Sequence, residues 1–357
     1  MNQERYTRQI ILGDFGPEAQ QRLYEAKVLV VGAGGLGVPV LTYLNAMGVG
    51  TLGIVDADVI SLTNLHRQVL YDENHIGEPK VNVAISKLKA QNPNSDLIAH
   101  QVYLTKDNAI SILKNYDVII DATDNFPSRY LINDACVILN KPFVYGALHG
   151  FEGQVSVFNH NGGPTYRCLF PTMPSANEVP NCNEHGVLGI IPGIIGNLQA
   201  LETIKVLSDI GKVLSGKLLL YNGLDQTFQK IGFPLVPSNL KISKLQSVYD
   251  FECGSEQDFI EANDLETLLK KKQVQVIDVR TSQEFDTFHL ENTLNRPLDE
   301  ISDWKEQLDY ENSIYLLCQS GVRSRKAIEV LKAHNPNATY VNVKGGINKL
   351  RTHAVKY

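Results

Sequence analysis

The sequence predicts an α/β chain in two parts, a larger domain with a mixed sheet followed by a smaller α/β domain. Three stretches carry that prediction. Lys27 to Gly37 (KVLVVGAGGLG) runs from a short β-branched strand into Gly32, Gly34 and Gly37 in G-x-G-x-x-G spacing, and a helical pattern follows from Leu36 to Met47. Asp56 closes the next apolar run, Thr51 to Val55. Far downstream, Ser313 to Leu317 feeds CQSGVRSR and a helix from about Arg323 to His334. The first two stretches form a Rossmann-like unit, in which glycines let the backbone approach a phosphate at a helix N-terminus and a carboxylate accepts from ribose hydroxyls. The third repeats strand, tight loop and helix around Cys318.

At 357 residues the chain is long for one domain. Hydrophobic content of 43% and charged content of 20% are ordinary for a globular protein. A net charge of −6 speaks against non-specific nucleic-acid binding. The start, MNQERYTRQIIL, has no signal-peptide core, and no run reaches about 18 apolar residues. Five scattered cysteines do not make a disulfide framework. The expectation is a cytoplasmic enzyme with no membrane association and with thiols available for chemistry.

Taken in order, Arg5, Tyr6, Arg8 and Gln9 lie in a polar segment before the first strand, where an arginine is either a phosphate ligand or a solvated surface group. After Asp56 comes a long polar connection carrying Asn64, Arg67 and Gln68, with Lys80 opening a helical pattern to Lys89. A triphosphate needs more fixed cations than a dinucleotide, and Arg plus Lys fit that need; alternatively, Lys80 only begins a surface helix. Leu97 to Val102 reads as a strand, Asp107 to Lys114 as a helix and Asp117 to Asp121 as a strand. Asp124 follows at that strand's carboxyl end, as a Mg²⁺ ligand or as the cap of the helix starting near Pro127. Lys141 to Gly146 and Glu152 to Phe158 are further strands. Cys168 to Ile195 is rich in Pro, Asn and Gly and reads as a loop with Cys182 among polar neighbours. Gly193 to Ile210 is a helix, and Lys217 to Tyr221 with Thr227 to Ile231 a hairpin.

RYTRQ, VGAGGLG, NLHRQ, GEPKV, DATDN and FEGQVSVF, in this order, resemble the ubiquitin-activating-like adenylyltransferases of molybdopterin-synthase and thiazole biosynthesis, over roughly residues 1–254. The resemblance implies an ATP-binding adenylation domain that activates the C-terminal glycine of a ubiquitin-like sulfur carrier ending in Gly-Gly. It implies that Gly34, Gly35 and Gly37 lie against the nucleotide and that Asp56 binds the ribose. Asn64, Arg67, Gln68 and Lys80 would bind phosphate, Asp124 Mg²⁺, and Arg8 would reach the site from the other subunit of a homodimer. Cys182 falls in what is the crossing loop of that family, at the place of a thiol implicated in sulfur transfer. Related enzymes hold zinc with two C-x-x-C pairs, whereas this chain keeps only the second cysteine of each, Cys168 and Cys253. Two thiolates make a poor structural zinc site, so zinc is expected to be lost and replaced by packing or a Cys168–Cys253 association.

Domain bounds of 1–236 and 257–357 are expected, joined by a linker at 237–256 with prolines, serines and little periodicity. In the second domain Asn263 to Lys272 reads as a helix, Gln275 to Val279 as a strand and Trp304 to Leu308 as a short helix. IDVRTSQEFDTFHLENTLNRPL and CQSGVRS resemble a rhodanese domain. Four residues separate Cys318 from Arg323, one fewer than in related phosphatase-type loops. Loop amides and the helix dipole favour a Cys318 thiolate, and Arg323 is expected to add a cation.

Together the resemblances imply an adenylyltransferase with sulfurtransferase activity. Cys318 would carry sulfur as a persulfide, from thiosulfate or a cysteine desulfurase, and attack the carrier's acyl-adenylate, with Cys182 as a second thiol. Three alternatives are a nicotinamide-dependent oxidoreductase, an enzyme adenylating RNA and a non-catalytic carrier-docking protein. The first leaves Arg67 and Lys80 without a task, the acidic net charge opposes the second, and the full set of charged residues opposes the third.

Overall fold

The computed structural model describes residues 3–174, 186–249, 258–261, 264–265, 268–269, 274–319 and 321–347, with 3, 258 and 322 as backbone only. The chain forms two compact units, Met1–Glu252 and Cys253–Tyr357.

The first unit is built on an eight-stranded sheet. Its strands are β1 (Lys27–Val31), β2 (Thr51–Val55), β3 (Asp96–His100), β4 (Val118–Asp121), β5 (Phe143–His149), β6 (Glu152–Phe158), β7 (Lys217–Asn222) and β8 (Thr227–Gly232). They lie in the order β3-β2-β1-β4-β5-β6-β7-β8. The first five are parallel and the last three antiparallel, so the sheet is mixed as expected. The central strands are continuous apolar runs because helices cover both faces. On one face α2 (Gly16–Glu25), α3 (Gly37–Met47), α4 (Lys80–Gln91) and α8 (Ile190–Ser208) supply residues such as Leu23, Leu41, Leu88 and Ile195. On the other, α5 (Ala109–Leu113) and α6 (Phe126–Ile138) join an aromatic cluster of Tyr130, Tyr145, Phe158 and Tyr166, the last from α7 (Tyr166–Leu169).

Several differences from expectation have local causes. The N-terminal polar segment is helix α1 (Gln3–Ile10), anchored by buried Tyr6, whose hydroxyl accepts from Asn92 Nδ2 at 3.0 Å. The expected loop to Ile195 ends earlier, because α8 begins at Ile190 and accommodates Pro192 in its first turn. At 19 residues α8 is long and apolar enough by length and mean hydropathy to cross a membrane, although Asn197, Gln199, Glu202 and Lys205 interrupt it, so it is not an unbroken run of about 18 apolar residues. Half of it is buried, it packs on α2, α3, β5 and β6, and its Glu202 accepts from Leu214 N at 2.8 Å. The expected linker is fastened to the first unit through residue 249. Leu245 and Tyr249 pack on the aromatic core, and the Tyr249 hydroxyl donates to Asp134 Oδ2 at 2.7 Å.

The second unit is a five-stranded parallel sheet in the order β11-β10-β12-β13-β9. The strands are β9 (Asp258–Glu261), β10 (Gln275–Asp278), β11 (Leu294–Asn295), β12 (Ile314–Leu317) and β13 (Tyr340–Lys344). The helix Val322–His334 packs on β12 and β13. The short helix expected at Trp304 to Leu308 is instead an α-turn at Ile301–Trp304 that tightens to 3-10 over Lys305–Gln307. Much of the expected helix Asn263 to Lys272 lies outside the described residues.

Candidate active sites

The first site forms where β1 ends. Gly32 takes φ +102°, and a Cβ on Gly37 would meet Gly32 O at 1.9 Å, so neither position tolerates a side chain. Asp56 at the end of β2 clamps the loop, its Oδ2 accepting from Ala33 N and its Oδ1 from Asp58 N, both at 2.8 Å. Burial pushes the Asp56 carboxyl above its usual range, opposed by Lys80 and those two N–H groups. Tyr71, which sequence reading passed over, donates to Ala33 O at 2.9 Å and supports the loop from within the core. Nothing in the pattern of a polar connection singles out one aromatic as a loop support.

The long connection folds back over the glycines. A 3-10 turn at Leu62–Asn64 leads to Asn64 O, which accepts from Arg67 N and Gln68 N at 3.1 and 3.0 Å. A Cβ on Gly34 would lie 3.5 Å from Gln68 Nε2, and one on Gly35 would lie 3.4 Å from Arg67 Cδ and 3.1 Å from Pro192 Cβ. Gln68 is buried and its Oε1 has no protein partner. Lys80 Nζ, also buried, reaches Asp58 Oδ2 at 3.0 Å, while Tyr103 OH donates to Asp58 Oδ1 at 3.1 Å. Gly34, Gly35, Gly37, Asp56, Asn64, Arg67, Gln68 and Lys80 are thus gathered around one loop and its supports.

Asp124 lies on the turn after β4, whose Ala122 O would be 2.6 Å from a Cβ on Gly32. Asp124 is exposed, and the cap of α6 is Asn125, whose Oδ1 accepts from Ser128 N at 2.9 Å. The capping alternative for Asp124 is therefore excluded. The turn is held from below by Asp121 Oδ1, which accepts from Thr123 N and Oγ1 at 3.1 and 2.6 Å, and by Arg129 Nη2, which donates to Thr123 O at 3.2 Å. No group of three or more metal-ligating side chains occurs among the described residues. A single exposed carboxylate on the turn facing the glycine loop is a donor of the kind Mg²⁺ takes, one or two carboxylates together with substrate phosphates. Arg8 is exposed on α1, whose Tyr6 ring abuts Gly48 at the C-terminal end of α3, about 16 Å along that helix from the glycine loop. Within one chain Arg8 is not gathered with the others.

Cys182 and Cys253 lie outside the described residues. Cys168 Sγ accepts from Val236 N at 3.3 Å, Thr165 N at 3.4 Å and Asn239 Nδ2 at 3.5 Å. Burial raises the Cys168 thiol, but these bonds and the Thr165 hydroxyl outweigh it and hold the thiol below its usual range. Thr165 stands where the first cysteine of the pair would, so this half of the site offers one thiolate where a closed tetrahedral zinc site takes two.

The second site forms where β12 ends. Cys318 is 1% exposed and follows Leu317 directly. Gly321, at φ +92°, caps the next helix, and its N–H donates to Cys318 Sγ at 3.1 Å. A Cβ on Gly346, at φ +56°, would meet Cys318 O at 2.2 Å, so a second glycine turn braces the loop. Arg323 is shared between a carboxylate and the loop, with Glu284 first and Cys318 among the neighbours that raise its guanidinium. Its guanidinium donates to both carboxylate oxygens of Glu284 at 2.6 Å, and that bond holds Glu284 down to about 2. A bidentate carboxylate satisfies the fork, and the side chain that hydrogen-bonds Cys318 Sγ is Ser324, with Oγ at 3.4 Å.

A model of the ThiF family matches residues 6–237, and a rhodanese-like domain matches residues 261–353. The chain belongs to the ThiF family. It is 54% identical over 233 residues to the sulfur carrier protein adenylyltransferase of Thermus thermophilus, covering 64% of this chain and 86% of that protein. It is 39% identical over 367 residues to adenylyltransferase and sulfurtransferase MOCS3 of Arabidopsis thaliana, covering 92% of this chain and 79% of that protein. E. coli MccB, in its crystal structure with MccA-N7isoASN, shares the fold at a TM-score of 0.61 and 20% identity, covering 68% of this chain and 75% of that one. The protein is accordingly an adenylyltransferase joined to a rhodanese-like sulfurtransferase domain.

Proposed function

We propose that the first unit adenylates the C-terminal glycine of a ubiquitin-like sulfur carrier ending in Gly-Gly, and that Cys318 supplies sulfur to make the thiocarboxylate used in molybdenum cofactor or thiamine synthesis. The observation that carries the reading is the closure of Arg67 and Gln68 over Gly34 and Gly35, beside the Asp58–Lys80 pair. A dinucleotide pyrophosphate is satisfied by backbone amides, whereas a triphosphate attacked by a carboxylate needs fixed cations where charge builds up.

In this reading Asp56 accepts from the ribose. Arg67, Lys80, Asn64 and Gln68 orient the phosphates so that the glycine carboxylate attacks the α-phosphorus in line and pyrophosphate leaves. Lys80 is held by an exposed carboxylate, which a phosphate can displace. Asp124 would hold Mg²⁺, which offsets phosphate charge. Arg8 would complete the site from a second copy of the chain, in a cytoplasmic homodimer. The Cys318 persulfide, loaded from thiosulfate or a cysteine desulfurase, attacks the acyl carbon and AMP leaves. Cys182, as a second thiol, would then release the thiocarboxylate by disulfide exchange. Placing both activities on one chain raises the local concentration of persulfide near the adenylate.

The test is carrier-dependent ATP–pyrophosphate exchange, then the intact mass of the carrier after thiosulfate is added. A gain of about 16 Da, oxygen replaced by sulfur, is expected with wild type. Cys318→Ala should exchange pyrophosphate normally and add no sulfur. Absence of exchange with every Gly-Gly carrier overturns the adenylation half. Equal thiolation by the mutant overturns the sulfur half.

A further inference from the structure

The Ser324 hydroxyl has two acceptors and one proton. Its Oγ lies 3.4 Å from Cys318 Sγ and 2.7 Å from Asn342 Oδ1. Ser324 is fully buried and Asn342 is 4% exposed, so no solvent takes the place of either partner. The Asn342 amide is oriented by its other end, since Nδ2 faces Gly321 O at 3.4 Å and leaves Oδ1 towards Ser324. A thiol sulfur is a weak acceptor, and 2.7 Å is the ordinary length of an O–H···O bond. With a neutral sulfur the proton therefore rests on Asn342. A thiolate is a charged acceptor and draws the hydroxyl round to itself.

We propose that Ser324 is a catalytic residue of the sulfur-transfer site, a rotating donor that follows charge on and off Cys318 Sγ, and that Asn342 is the positioning residue that holds its proton when that sulfur is neutral. The proposal rests on the reading of Cys318 as the persulfide carrier. In loading, the Cys318 thiolate attacks the outer sulfur of thiosulfate. A bond to Sγ forms, the thiosulfate S–S bond breaks and sulfite leaves with the electron pair. Negative charge moves to the terminal sulfur, and Ser324 turns to Asn342. In discharge to cyanide, carbon attacks the terminal sulfur, the S–S bond breaks and thiocyanate departs. The electron pair returns to Sγ, and Ser324 turns back to receive it. Gly321 N–H donates to Sγ throughout, and Arg323 donates to Glu284.

The experiment uses the full chain with thiosulfate and cyanide, reading persulfide on the intact protein by mass and thiocyanate by rate. Ser324→Ala is expected to slow loading and discharge about tenfold or more, the worth of a hydrogen bond to a charged group, with the KM for thiosulfate little changed. Ser324→Thr restores the hydroxyl and most of the rate. Asn342→Ala changes the rate in the wild-type background and adds nothing in the Ser324→Ala background, because it acts through Ser324. A folded Ser324→Ala at wild-type rate overturns the proposal, as does an Asn342→Ala effect that persists without Ser324. If Ser324→Ala does not fold, Asn342→Asp decides. A carboxylate there holds the hydroxyl proton and slows both steps, whereas unchanged rates overturn the proposal. Sulfur transfer that survives Cys318→Ala overturns the carrier reading itself, a separate outcome from any of these.

Discussion

Both units end a central parallel strand on a left-handed glycine and a helix, and they use the device differently. After β1, Gly32 opens a loop that is completed by residues from distant parts of the chain: Asp56, Arg67, Gln68, Tyr71 and Lys80. After β12, Gly321 closes a loop around one sulfur, and among the described residues the hydrogen bonds to that sulfur come from Gly321 and Ser324, a few residues away. A nucleotide is large and charged along its length, so its cradle has to be assembled. A sulfur atom needs only a turn and a donor. Two of the cations expected to face ligands differ in the same way. Lys80 makes one bond to a half-exposed carboxylate, whereas Arg323 is locked in two bonds to Glu284.

The sharpest way to break this comparison is to separate the two activities. Arg67→Ala and Lys80→Ala should each lower carrier-dependent pyrophosphate exchange by about 100-fold, the scale of losing one fixed donor to developing charge. Loading of Cys318 by thiosulfate should be unchanged in both. Normal exchange in Lys80→Ala would reduce Lys80 to a partner of Asp58.

The glycines come next. Gly37→Ala places a Cβ 1.9 Å from Gly32 O and should cost about 1–3 kcal/mol in urea unfolding, together with weaker ATP binding. Gly346→Ala, 2.2 Å from Cys318 O, should depress sulfur loading and leave exchange alone. The reverse pattern would mean that the braces are not specific to their own loops.

Tyr249→Phe removes one donor from Asp134, which keeps its two bonds from Arg167 at 2.7 and 2.8 Å. The expected loss is about 1 kcal/mol by denaturant titration. No loss would mean that the Tyr249 hydroxyl does not help to fasten the segment after β8, which then rests on its packing and on bonds such as Lys106 Nζ to Ser247 O at 2.8 Å.

The smallest effect belongs to Glu284. Its carboxyl sits at about 2 instead of 4.5, chiefly through Arg323. A depressed native value contributes stability above about pH 4.5 that is lost as pH falls towards 2. Partial exposure screens the pair. Glu284→Gln should therefore melt slightly below wild type at neutral pH, and the gap should close between pH 4.5 and 2. A gap that widened with acid would exclude the pairing.

The sequence by itself determined both strand–loop–helix devices. β-branched runs, glycine spacing and helical periodicity are local signals, and β2 and β6 coincide with their expected bounds, Thr51–Val55 and Glu152–Phe158. It also marked Arg67, Gln68, Lys80 and Cys318, because their chemistry is legible from residue type in a polar or glycine-rich context. Only the tertiary structure decided which partner each side chain takes. Asn125 rather than Asp124 caps α6, and Glu284 takes the hydrogen bonds of Arg323. Tyr71 supports the glycine loop, Tyr249 fastens the expected linker and Asn342 claims the Ser324 proton. The physical reason is range. Backbone conformation follows from neighbours in the chain, whereas a buried hydrogen bond is chosen by whatever packing brings within 3 Å, often from tens of residues away.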